Sequence, residues 1–210
     1  MKIKSVSTSD ACQDDFVLKM LNYQEKGYFV DLGAGGPRQS SNSYRLEELE
    51  WNGICIDLNT YLDYELRRCD FFAHNALDFD YVNLFEYCNA PSVIDYLSLD
   101  IDENSTDLLK LMPFDRYKFK IITIEHDAYI RDPEFRSKQR EILFNNDYYL
   151  LCADVWPDIA RKQNLKGGPF EDWWVKKEFF EDKLLDMVKC ENLYGSDIIR
   201  KFGFSSAEII

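Results

Sequence analysis

Residues 28–37 read Tyr-Phe-Val-Asp-Leu-Gly-Ala-Gly-Gly-Pro. A short apolar run ends in an acid and breaks into a glycine-rich turn. A buried parallel strand delivers its carboxyl end to a nucleotide-like ligand in this way. The reading puts Asp31 at the strand end. Gly33, Gly35 and Gly36 then let the backbone pass close to a ligand at little steric cost.

Outward from this stretch, apolar strand-like runs alternate with helix-like segments, the pattern of an α/β fold with a mainly parallel sheet. Further strands are expected at 54–58, 70–75, 93–100, 120–125, 148–154 and 173–175. Helices are expected at 14–26, from Ser41 or Ser43 to Glu50, and at 60–68, 80–88 and 134–146. The stretch 155–172 reads as a loop, broken by Pro157, Gly167, Gly168 and Pro169. Residues 176–193 read as a helix, with Phe180, Leu184 and Val188 at helical spacing. That apolar face either packs within the domain or forms a homodimer contact. The tail from Gly195 reads as peripheral. The 210 residues fit a single domain 1–210, with an N-terminal helical segment (1–26) and a C-terminal helical tail (176–210).

Composition narrows the function. The formal charge is −13. No Lys/Arg cluster offers the basic face that a nucleic acid or an anionic membrane requires, so neither partner is expected. No apolar run approaches the ~20 residues of a membrane span, and Met1–Asp15 has no secretory pattern. The six cysteines form no C-x-x-C pair and lack zinc spacing, and several sit in apolar runs. Reduced thiols in a cytoplasmic protein are the expectation.

The glycine turn alone leaves the ligand open. Gly33 and Gly35 match the first two positions of G-x-G-x-x-G, but Arg38 occupies the third, so the NAD fingerprint is incomplete. Asp57 ends the second strand, where a carboxylate can accept both hydroxyls of a ribose. Asn75-Ala76-Leu77-Asp78 follows the third strand, where an adenine can lie, and Asp78 can accept from an exocyclic amine.

The order and spacing of these pieces resemble the class I S-adenosylmethionine (SAM)-dependent methyltransferases, and more narrowly the FkbM family. The resemblance is carried by Phe29-Val30-Asp31-Leu32-Gly33-Ala34, Ser41-Asn42-Ser43-Tyr44, Leu46-Glu47, Trp51-Asn52-Gly53-Ile54-Cys55-Ile56-Asp57, Tyr96-Leu97-Ser98-Leu99-Asp100-Ile101-Asp102, Ile124-Glu125 and Asp172-Trp173-Trp174-Val175. It runs from about Gly27 to Val175. It implies a Rossmann-like fold with a mainly parallel seven-stranded sheet flanked by helices. It also implies methyl transfer to a hydroxyl of a sugar, glycan or small molecule. Asp31, Gly33, Ala34, Gly35 and Asp100 would line the cofactor, Asp57 would hold the ribose, and Leu77 and Asp78 would flank the adenine. The chain departs from the family after Ser-Leu-Asp-Ile, where Asp102-Glu103-Asn104-Ser105-Thr106 replaces the usual acid and glycine.

Methyl transfer needs the nucleophile in line with the donor and a means of removing its proton. The fourth strand delivers Asp100 and Asp102, and the fifth delivers Glu125, His126 and Asp127. His126 or Asp100 is the candidate general base. Asp100, Glu125 and His126 are expected to converge, and together could hold magnesium or manganese, as the strand-end acids of the similar TylF-like sugar O-methyltransferases do. Arg161, Lys162 and Lys166, with Trp173 and Trp174, are candidates for a lid or substrate wall, although at least one of the two tryptophans is expected to pack in the core or at a subunit contact. Arg131, Arg136 and Arg140 bind an anionic substrate or form a solvated helix face. His74 is structural or lies near the adenine. Two other functions remain open here: an inactive SAM- or nucleotide-binding protein, and an NAD-dependent oxidoreductase.

Overall fold

The computed structural model describes residues 6–163 and 167–202. Its strands are β1 (Tyr28–Leu32), β2 (Asn52–Asp57), β3 (Cys69–Ala73), β4 (Val93–Leu99), β5 (Lys118–Glu125), β6 (Tyr149–Val155), β7 (Glu171–Val175) and β8 (Cys190–Glu191). They form one sheet in the order β3-β2-β1-β4-β5-β7-β6-β8. β7 runs antiparallel to β5 and β6, and the other pairs are parallel. The fold is therefore α/β with a mostly parallel sheet, as expected. The sheet has eight strands rather than seven. The eighth is a two-residue edge strand within the stretch read as one helix, 176–193.

The central strands are apolar on both sides because both faces of the sheet are covered. On one face lie Phe29, Tyr96, Ile121 and Trp173, packed under α1 (Gln13–Met20), a 3-10 turn (Tyr44–Leu49), α6 (Asp182–Val188) and α7 (Gly195–Lys201). On the other lie Val30, Ile54, Leu97, Ile122 and Trp174, under α2 (Tyr81–Tyr87), α3 (Ser105–Lys110) and α4 (Pro133–Asn145). Both tryptophans are fully buried, one on each face, so neither presents an aromatic surface to a substrate. α5 (Asp158–Gln163) occupies part of the stretch read as a loop.

Local chemistry fixes the helix starts. Asp80 accepts from the backbone N–H groups of Val82 and Asn83 at the start of α2. Asp132 accepts from that of Glu134, and Pro133 takes the first position of α4, where its missing N–H costs nothing. The segments expected as helices at 41–50 and 60–68 instead form 3-10 turns, Tyr44–Leu49 and Leu62–Leu66. Arg67 joins these turns to the glycine turn. It donates to Glu47 Oε1 (2.7 Å), the Pro37 carbonyl (2.6 Å) and Ser43 Oγ (3.0 Å).

The tail is part of the core. Gly195 lies so close to the carbonyl of Ala11 that an added Cβ would sit 1.7 Å from its oxygen. Ile198 and Phe202 are buried, and Phe202 packs its ring edge-on to Phe16. The apolar face at Phe180, Leu184 and Val188 packs within the chain against the same core. Ile198→Ala is therefore expected to lower unfolding free energy by about 2–5 kcal/mol in urea denaturation. A peripheral tail would lose less than about 0.5 kcal/mol.

Candidate functional site

The strand order reverses direction between β1 and β4, and the carboxyl ends of the strands beside that switch point surround a cavity of about 260 Å³. Gly33 lines it after β1, Ile56–Asn59 at the end of β2, His74–Ala76 after β3 and Asp100–Asn104 after β4. Four of these side chains are carboxylates: Asp57, Asp100, Asp102 and Glu103. Among the described residues that line the cavity, none is a lysine or an arginine.

Gly33 is fixed by its neighbours. Its φ is +83°, and an added Cβ would lie 1.7 Å from the carbonyl oxygen of Asp100. The backbone after β1 also donates from Gly33 and Ala34 to the carbonyl of Ile56. Gly35, at φ +59°, has open space where a side chain would stand. Its N–H donates to Asp57 Oδ2 (2.9 Å), while Asp57 Oδ1 accepts from the backbone and side chain of Asn59. Asp57 is thus held rigidly at the cavity wall.

The other residues expected in the cofactor site are placed differently. Asp31 is buried behind the turn, where Ser43 donates to it at 2.6 Å; burial pushes its carboxyl up, against that bond and the charge of Arg67. Ala34 is buried and Leu77 packs against the second core; neither lines the cavity. Asp78 does not line the cavity; it is half exposed, with its carboxylate 4.0 Å from Nε2 of the lining residue His74. The wall there is His74, Asn75 and Ala76, and Asn75 also accepts from the N–H of Leu77. Leu58, Asn59, Ile101, Glu103 and Asn104 complete the lining, although nothing periodic in these loops marks them.

Asp100 and Glu125 meet and share a proton. Burial lifts Asp100 to about 6, against the hydrogen bond it accepts from Glu125. Burial, the charge of Asp100 and that same bond push Glu125 up to about 11. Both carboxyls are raised, so the pair together holds a proton above the usual carboxylate range. The N–H of Asp102 also donates to Glu125 Oε2 (3.1 Å).

His126 does not join them, which corrects the expected Asp100–Glu125–His126 convergence. Glu125 ends β5, and the next residue of an extended chain projects to the opposite face. His126 is buried there, with Nε2 3.5 Å from Asp154 and 3.7 Å from Asp172. Its Nδ1 accepts from the N–H of Ala128. Arg140 binds Asp172 with two N–H donors (2.8 and 2.9 Å), and Arg136 binds Asp154 at 2.6 Å. The two arginines therefore balance two acids and tie α4 to β6 and β7. They form neither an anion site nor a solvated face. Arg140 and His126 hold the Asp172 carboxyl down at about 2, against its burial. This lattice leaves His126 no access to the cavity and no role as its base.

Asp102, Glu125 and Asp127 place carboxylate oxygens within 4.8 Å of one another. They do not fit a divalent cation. Arg131 already stands among these acids, bound to Glu103 and 3.3 Å from Asp102 and 3.9 Å from Asp127, so the cluster carries its own cation. Arg161 is paired with Asp197 and lies over the Tyr194 ring. The side chain of Lys162, and Lys166 as a whole, lie outside the described residues.

No protein-family model matches the chain, and no curated protein matches it. Solved structures share its fold. A putative RNA methyltransferase from Pyrococcus horikoshii aligns with a TM-score of 0.50 at 14% identity, over 79% of this chain and 82% of that one. Spermidine synthase from Thermotoga maritima aligns with a TM-score of 0.50 at 13% identity, over 90% of this chain and 69% of that one. The shared feature is a Rossmann-like α/β architecture. Separately, no helix among the described residues is long and apolar enough to cross a membrane.

Glu171, on β7 beside this site, yields a pH prediction. Burial and the charge of Asp100 push its carboxyl up to about 8, against the hydrogen bond from Trp173 Nε1. The folded chain keeps this proton where the unfolded chain, with an ordinary pKa of about 4.3, has released it. Its contribution to stability is full below about pH 4 and is lost as pH rises to about 8. Glu171→Gln removes that loss, so urea denaturation at about pH 5 and about pH 8 should show a smaller fall in stability than in the wild type.

Proposed function

We propose that the chain is a SAM-dependent methyltransferase of the FkbM type that methylates a hydroxyl of a sugar, glycan or other small molecule. The observation that carries this reading is the acid-lined cavity at the switch point. SAM brings a sulfonium and an ammonium, and the carboxylates of Asp57 and Asp100, with no lysine or arginine in the lining, suit such a ligand, while Asp102 and Glu103 are paired with Arg131. A nicotinamide dinucleotide suits it poorly, because its pyrophosphate would face the same carboxylates. The glycine turn also leads to no helix N-terminus that could hold a phosphate, since the next element is the 3-10 turn at Tyr44.

In this reading Asp57 holds the ribose hydroxyls, oriented by Gly35 and Asn59. His74, Asn75 and Ala76 bound the adenine, and Gly33 and Asp100–Asn104 bound the methionine end. When bound, SAM supplies an electrophilic methyl group on a cationic sulfur. The chain's own task is to set the acceptor oxygen in line and take its proton. Asp100 is the base. It faces the cavity, and at about 6 it is ionised at neutral pH yet basic enough to accept a proton. Glu125 donates a hydrogen bond to Asp100 and keeps it oriented. No step needs a metal, because Arg131 already balances the nearby acids. The acidic rim and the net charge favour neutral or cationic acceptors over polyanions.

Two measurements test this. In calorimetric titration the wild type should bind SAM, and Asp57→Ala should lose roughly 10- to 100-fold in affinity, as for a lost hydrogen bond to a charged group. No binding by the folded wild type contradicts the reading. With an acceptor found by screening sugars and small alcohols, Asp100→Asn should lower kcat by about 10²–10⁴-fold. It should also remove a rising limb of the rate profile near pH 6. An unchanged profile would remove Asp100 from the role of base.

A further inference from the structure

A second cavity, of about 470 Å³, opens at the far edge of the sheet, remote from the acid-lined site. Phe144, Tyr149, Leu150 and Lys189 line it together with Cys190. Cys190 lies directly opposite Cys152 in the parallel pairing of β8 with β6. Neighbouring strands run about 4.8 Å apart, and a disulfide spans Cα separations of roughly 4.4–6.8 Å. Register partners project to the same face of the sheet, so the two side chains are neighbours. Cys152 is fully buried, whereas Cys190 is half-buried at the cavity wall.

We propose that Cys190 and Cys152 are an oxidisable thiol pair, in which a small disulfide from solution modifies Cys190 and Cys152 resolves the adduct into a disulfide joining β8 to β6. The inference is independent of any methyl-transfer activity. It stands on the register of two cysteines and the opening that leads to one of them.

The chemistry balances. The Cys190 thiolate attacks one sulfur of the small disulfide, and one thiolate leaves. Cys152 then gives its proton to solvent and attacks the Cys190 sulfur, and the second thiolate leaves. Two protein thiols are oxidised, and one small disulfide is reduced to two thiols. The surroundings favour Cys190 as the attacking group. The hydrogen bond from Cys152 and the charge of Lys201 hold its thiol below the ordinary range. Burial pushes Cys12 up to about 12 and Cys88 up to about 11. Attack requires the thiolate, so these differences favour Cys190 over Cys12 and Cys88. β8 is a two-residue edge strand and can shift to admit the reagent.

The test is to incubate the native full chain with oxidised glutathione and map the peptides by mass under non-reducing conditions. The expected product is a Cys152–Cys190 cross-linked peptide, formed ahead of any adduct on Cys69 or Cys88. Cys152→Ser, and Cys152→Ala as a second variant, should instead accumulate glutathione on Cys190. Modification of Cys69 or Cys88 first would overturn the proposal. So would a wild type that keeps a stable Cys190 adduct without cross-linking, or a disulfide formed at Cys55–Cys69 instead. The wild-type map decides the matter even where a variant fails to fold.

Discussion

The close approach of Gly33 to the backbone of Asp100 organises the site. At this point the chain leaves β1 toward β2 on one side, while β4 ends on the other. The N–H of Asp100 donates to the carbonyl of Leu32, and Gly33 donates to that of Ile56, so three strand ends are stitched together at one residue. Any side chain at residue 33 would collide with the Asp100 carbonyl. Because that space stays empty, Asp57 and Asp100 reach the same cavity from opposite sides of β1.

Charge then separates the two faces of the sheet. Asp100, Glu125 and Glu171 crowd together with too little positive charge, and their carboxyls are pushed up to about 6, 11 and 8. On the other face, Asp154 and Asp172 meet Arg136 and Arg140, and Asp172 stays ionised. The second group is a fully paired lattice that anchors α4. In the first group, raised carboxyls hold protons where the second group has paired cations. The two clusters thus differ in pairing rather than in the number of acids.

Much of this was legible in the sequence where short-range rules govern. The strand Tyr28–Leu32, its glycine turn, and Asp57 and Asp100 at strand ends follow from apolar runs and breakers. The two-residue alternation of a strand could also have separated Glu125 from His126, since neighbours on an extended chain cannot point to one place. The partners of His126 could not be read, because Asp154, Asp172 and Arg140 come from other elements. Glycine turns and strand ends are local features, but pairing across the sheet is not. For the same reason, the burial of Ile198 and Phe202 depends on α1 and stays hidden in the sequence of the tail. Asp78 was an acid at a plausible position, yet it stands behind His74, which takes the place at the cavity wall.

The most direct test of the central claim is a crystal structure of the chain with S-adenosylhomocysteine, the product form of the cofactor. The account expects its ribose on Asp57, its adenine against His74–Ala76 and its sulfur toward Asp100, within the cavity behind Gly33. A ligand bound elsewhere, or a cavity that stays empty at saturating ligand while the fold is intact, would contradict it.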